Sequence, residues 1–180
     1  MKKVFITVLI LCMLFMTACG TPTPTEALKA DIENAKNNPE DIIGDIGEDG
    51  FGEEATNALV DKVLEFDYKL GEEVIDEEAG KATVETTITT YPFGDVFSTL
   101  MTKLFTEIFA NPNMTDAQLD ERMDALLIEG LKNVEKTYTK TITINLELED
   151  GVWVVQESDE MADALTGGML TWANSINNAS

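Results

Sequence analysis

Residues 81–90 read Lys-Ala-Thr-Val-Glu-Thr-Thr-Ile-Thr-Thr, and their alternation constrains the fold more than any other feature of the chain. Ala82, Val84, Thr86 and Ile88 fall on one face, and Lys81, Thr83, Glu85, Thr87 and Thr89 on the other. A period of two with β-branched side chains predicts a half-buried strand. The register of such a strand is tightly specified, because a slip of one residue would turn its apolar set to solvent. A second alternating run, Thr137 to Glu149, sets Ile142, Ile144, Leu146 and Leu148 inward. Asp150-Gly151 is a hairpin signal, and Val152 to Glu157 returns with Trp153 and Val155 on one face. Asp67 to Asp76, with Tyr68 and Leu70 on one side, pairs with 81–90 through the turn Glu77-Glu78-Ala79-Gly80.

Between and around these strands the period changes to that of helices. Thr25 is positioned to cap a first helix carrying Leu28, Ile32 and Ala35, which Asn37-Asn38-Pro39 ends. Residues 40–52 are an acidic, glycine-rich loop, and a second helix over 53–66 places Ala55, Leu59, Val63 and Phe66 on one face. After Pro92 and Gly94, a wide apolar stripe runs through Val96, Phe97, Leu100, Met101, Leu104, Phe105, Ile108 and Phe109. Asn111-Pro112-Asn113 breaks it, and Thr115-Asp116-Ala117-Gln118 opens the next helix with a capping box. That helix buries Leu119, Met123, Leu126, Leu127, Leu131 and Val134. A last helix begins near Asp159, is interrupted at Gly167-Gly168, and resumes from Met169. The order is αα-ββ-αα-ββ-α. Hairpin-linked strands of this kind predict an α+β domain with an antiparallel sheet of about four strands packed on helices.

The N-terminus reads differently. Lys2 and Lys3 precede an apolar run from Val4 to Met16, followed by the small residues Thr17 and Ala18 and then Cys19. This is the layout of a secretory signal, and its run of thirteen residues, apolar apart from Thr7, falls short of the roughly 20 of a spanning helix. Met16-Thr17-Ala18-Cys19 resembles the lipobox of bacterial lipoproteins, with Met16 where Leu is usual. The resemblance implies cleavage before Cys19 and a diacylglycerol on its thiol, giving membrane attachment on the extracytoplasmic side. Two acyl chains suffice for stable anchoring. The expected organisation is a signal peptide over 1–18, a lipidated Pro-Thr tether over 19–25, one α+β domain over 26–176 and a disordered tail over 177–180.

Removal of residues 1–18 leaves 162 residues, enough for one domain with its own core. Lys2 and Lys3 leave with the signal, so ten basic side chains remain against 34 acidic ones, a formal charge of −24. That charge opposes nucleic acid and suits cationic partners, and it also keeps a secreted protein soluble. Cys12 leaves too, so the mature chain has a single cysteine and no disulfide. With no histidine and only Arg122 for arginine, Ser-His-Asp and Cys-His catalysis, histidine-ligated metals and arginine clamps are excluded. Carboxylate-pair hydrolysis remains open on residue types alone.

From Tyr68 onward the chain also resembles a group of uncharacterised lipoproteins of Gram-positive bacteria, whose domains are similar to the nuclear-transport-factor-two-like or cystatin-like cone. The residues that carry it are Tyr68-Lys69-Leu70, Gly80 to Ile88, Leu148 to Val155 with its Asp-Gly-x-Trp hairpin, and Ala164 to Gly168. The resemblance implies a curved antiparallel sheet around helices and an envelope location, and it transfers no catalytic residues. The insertion of residues 94–134 between the strand pairs departs from the plain cone.

Candidate sites follow from these patterns. In a cone, the Tyr68, Tyr91 and Trp153 rings could line a ligand pocket, or they could be core. Asp45-Ile46-Gly47-Glu48-Asp49-Gly50 matches a calcium loop at Asp45, Asp49 and Gly50. It lacks a ligand at Gly47 and the bidentate glutamate at Thr56. Asp45, Asp49, Glu53 and Glu54 are thus at most a weak Ca²⁺ site within an acidic loop, and no cofactor beyond the lipid is expected. Glu72-Glu73 and Asp76-Glu77-Glu78 lie in polar turns, where a charged sheet edge resists aggregation. Three functions remain open. The first is a membrane-tethered, non-enzymatic domain binding a small ligand or a cationic or protein partner. The second is an extracytoplasmic hydrolase using paired carboxylates, and the third is a structural envelope lipoprotein.

Overall fold

The computed structural model describes residues 22–38 and 50–177. The signal segment, Cys19, Asp45, Asp49 and residues 178–180 lie outside them. Helix α1 spans Pro24–Asn37 and α2 Glu53–Leu64, followed by strands β1 (Asp67–Asp76) and β2 (Lys81–Thr90). Helices α3 (Phe93–Ala110) and α4 (Asp116–Asn133) come next, then β3 (Tyr138–Glu149) and β4 (Val152–Gln156). Two short helices close the chain, α5 (Asp159–Leu165) and α6 (Met169–Asn177). The fold is α+β with one four-stranded antiparallel sheet in the order β1-β2-β3-β4.

The alternation seen in the sequence sets the sheet. β2 and β3 pair without a break from Lys81↔Glu147 to Thr90↔Tyr138. Ala82, Val84, Ile88, Ile142, Ile144, Leu146 and Val155 point to one face and are buried under α1 and α5 with Leu28, Phe66 and Ala164. The opposite face is open, and its threonines pair across the strands: Thr87 with Thr141 at 2.9 Å and Thr89 with Thr139 at 3.1 Å. β1 carries a bulge between Leu70 and Glu73. The β3–β4 turn has positive φ at both Asp150 (50°) and Gly151 (83°), the backbone that Asp-Gly accommodates in a two-residue hairpin.

A second core lies among α2, α3, α4 and α6. Phe93 and Leu127 are its fully buried residues, joined by Ala55, Leu59, Tyr91, Phe97, Leu100, Leu126 and Leu131. Each such large side chain contributes about 1.5–3 kcal/mol by leaving water.

Several expectations need correction. The first helix is capped by Thr23, not Thr25. The Thr23 hydroxyl accepts the Glu26 N–H, the Glu26 carboxylate accepts the Thr23 N–H, and Pro24 occupies the first turn. Thr25 instead donates its N–H and hydroxyl to Glu73 Oε2, at 2.7 and 2.6 Å. The second helix stops at Leu64, and Phe66, free of its periodicity, packs in the sheet core. The third strand starts at Tyr138. Leu148 keeps the inward side of β3 but lies beyond the covering helices and is 42% exposed. The stripe on α3 is filled only in part, because neighbouring helices reach Phe97 and Leu104 but not Phe105 or Phe109. The interruption expected at Gly167-Gly168 is present and divides α5 from α6.

Gly167 has φ +53°, and a Cβ there would stand 1.8 Å from the Tyr91 carbonyl oxygen. Backbone against backbone leaves no side chain to yield. Gly167→Ala should therefore destabilise the domain by about 3 kcal/mol, lowering its melting temperature by roughly 6–12 °C. Thermal unfolding followed by circular dichroism checks this, and an unchanged melting temperature would mean that the turn adapts.

Candidate functional site

The join between the two cores carries a cleft and a groove. β2 ends at Thr90, and Tyr91 and Pro92 lead directly into α3, whose Gly94 N–H donates to the Gly167 carbonyl at 3.1 Å. A Cβ on Gly94 would lie 2.7 Å from the Gly168 oxygen, so both glycines serve close contact between the α3 start and the α5–α6 turn. The Tyr138 ring, at the start of β3, lies against Gly168. Beside this turn opens a cleft of about 390 Å³, lined by Asp95, Ser98, Tyr138, Thr171, Trp172 and Ser175 among others. A shallower groove of about 220 Å³ runs between α3 and α4 past Thr99, Lys103, Gly130 and Asn133. Asp95 borders both and is the one carboxylate in either lining.

Asp163 braces the cleft from beneath. It is 6% exposed. Its carboxylate accepts the Thr171 N–H at 2.8 Å, the Thr171 hydroxyl at 3.0 Å and the Lys140 ammonium at 3.4 Å. Burial pushes this carboxyl up, but the Thr171 bonds and the Lys140 charge outweigh it and hold the group below the usual carboxylate range. Tyr138 is pushed the other way, by burial first and then by the negative charge of Asp163. Hydroxyls, one exposed carboxylate and an indole can hold a polar or cationic group by hydrogen bonds. Hydrolysis by paired carboxylates needs a second, which this cleft does not bring to Asp95.

The three aromatic residues of the expected pocket are not brought together. Tyr68 lies on β1 and Trp153 on β4, at opposite edges of the sheet, while Tyr91 belongs to the helical core. The Tyr91 hydroxyl donates to Glu65 and accepts from Lys62, and the Lys62 and Lys136 ammonium groups stand 4.6 and 5.9 Å from its ring. Tyr68 donates to Glu33 at 2.8 Å. Trp153 packs on the sheet core opposite Leu148. None of the three lines the cleft or the groove. Of the cation candidates, Glu53 and Glu54 are exposed in the first turn of α2. Among the described residues no group of three potential ligands gathers to hold a metal ion. Glu73 is engaged by Thr25, and Asp76 accepts the Ala79 N–H within its own turn. The cleft residues were not legible in the sequence. They come from α3, β3 and α6, and only the two glycines gave any local signal.

No family model matches this chain, and no curated protein matches it. The chain is similar to the crystal structure of a "putative lipoprotein (ycdA)" from Bacillus subtilis, at 16% identity and a TM-score of 0.46. The similarity covers 80% of this chain and 46% of that one, so this chain spans under half the length of the Bacillus protein.

Because Asp163 titrates below its ordinary value in the fold, its contribution to stability is complete above pH ~4, the unfolded carboxyl value, and is lost as pH falls through the depressed native value. Asp163→Asn should cost about 1–3 kcal/mol at neutral pH, since it leaves Lys140 without its partner. It should also flatten the fall of melting temperature below pH ~5. Parallel acid melting curves for the two proteins would place the acid sensitivity in other carboxylates.

Proposed function

We propose that this chain is held on the outer face of a cell membrane by a diacylglyceryl group on Cys19, and that its domain is a non-enzymatic module that binds a protein partner. The anchor rests on the basic, apolar and small-residue zones before Cys19. No helix among the described residues is long and apolar enough to cross a membrane. The observation that carries the binding reading is on α3. Phe105 and Phe109, one turn apart, are 52% and 84% exposed on a helix whose other large apolar residues are packed. Exposed aromatic pairs are costly in water and typical of interaction surfaces. The charge of the mature chain favours a basic partner, and the cleft at Asp95 is a suitable receptacle for a cationic group. The similarity to nuclear-transport-factor-two-like domains belongs to the same proposal, supported by the antiparallel sheet in the order β1-β2-β3-β4.

Two experiments test the reading. Cys19→Ala should abolish incorporation of labelled fatty acid and leave the chain unprocessed or shed, and retained label refutes the anchor. A photo-crosslinking residue at Phe109 should give discrete adducts in intact cells, while the same residue at Thr139 on the open sheet face should not. Equal labelling at both positions would deny Phe109 any special role.

A further inference from the structure

The path of α1 shows which end of the domain its tether leaves from. The Lys36 ammonium donates to the Phe66 carbonyl just before β1, Glu33 accepts from Tyr68, and Thr25 donates to Glu73. Going back along α1 toward its N-terminus, the chain therefore runs along β1 toward the β1–β2 turn. The β3–β4 turn is at the same end, since the Leu148 N–H donates to the Gly80 carbonyl at 2.8 Å. From Cys19 to the cap Thr23 the chain can reach no more than about 14 Å, at ~3.5 Å per residue.

A second, independent feature lies at this end. Val74 (57% exposed), Ile75 (41%), Leu148 (42%) and Val152 (51%) are large apolar side chains left in solvent there. Cross-strand pairing keeps them within the last rows of the sheet: Ile75 faces Ala82, Leu148 faces Trp153 and Val152 faces Glu149. Around them stand the exposed carboxylates Asp76, Glu77, Glu78, Glu149 and Asp150. Apolar tips with an acidic rim suit shallow contact with a zwitterionic headgroup layer and oppose an anionic one.

We infer that the hairpin end of the sheet, with Val74, Ile75, Leu148 and Val152 at its tip, docks on the phospholipid surface that holds the lipidated Cys19. The inference rests on the anchor proposed above. It turns the opposite end of the sheet, about 30 Å away along the ten residues of β2, toward the envelope space.

The test uses the full-length lipidated protein reconstituted in phosphatidylcholine vesicles that carry a headgroup-linked quencher. Acylation of Cys19 leaves an introduced cysteine as the single thiol to label. A fluorophore on Ala79→Cys, in the β1–β2 turn, should be quenched several-fold more strongly than one on Thr137→Cys at the far end. Adding Leu148→Ser and Val152→Ser, both at exposed sites, should reduce the Ala79 quenching while the lipid stays in place. Equal quenching at the two positions, or quenching at Ala79 that ignores the serine substitutions, overturns the docking with the anchor intact. A protein that lacks the lipid mass and leaves the vesicles overturns the anchor, and the docking falls with it.

Discussion

The ladder between β2 and β3 is the constraint on which the rest depends. Its ten paired positions join strands separated in sequence by the whole of α3 and α4. Closing so long a connection costs entropy that a uniform, well-registered pairing offsets. The sequence on both sides meets that need with alternating β-branched residues, and Val84–Ile144 and Ala82–Leu146 face each other on the buried side. The outer hairpin strands β1 and β4 then add to an existing template, where shorter or bulged pairing suffices.

The helical connection does more than join the strands. It builds a second core that shares little with the first, and the two meet through Tyr91, the Gly94–Gly167 contact and the Asp163 network. These contacts are backbone and charged hydrogen bonds rather than apolar bulk. A buried carboxylate with three donors tolerates only one arrangement of α5 and α6, so the geometry of the cleft is tied to the same bonds that stabilise the fold.

Periodicity disclosed much of this arrangement, and its failures are local and physical. The strand faces, both hairpin turns and the paired helices follow from alternation and turn chemistry, so the α+β architecture was readable before any coordinates. Residues at the ends of elements were not. Leu148, Phe105 and Phe109 obey the period of their segments, but burial requires a neighbour to cover them, and the reach of neighbours is not written in local sequence; Phe66 lies past the end of its helix and is buried in the sheet core instead. Thr23 and Thr25 are both competent caps, and the Pro24 ring with Glu26 decides for Thr23. The aromatic pocket failed for a related reason. Tyr68, Tyr91 and Trp153 share a residue type but not a core, and only the division of the molecule into two cores separates them.

The attachment of α1 along β1 has a mechanical consequence. Contacts to Glu73, Tyr68 and the Phe66 carbonyl are spread over the length of the helix rather than gathered at one end. A pull on its N-terminus acts nearly parallel to the strand and loads these contacts together, in shear. Rupture then requires several bonds to fail at once instead of one after another. The first helix is thus arranged to resist tension applied to its N-terminus, and the sheet core beneath it is the last part to feel it.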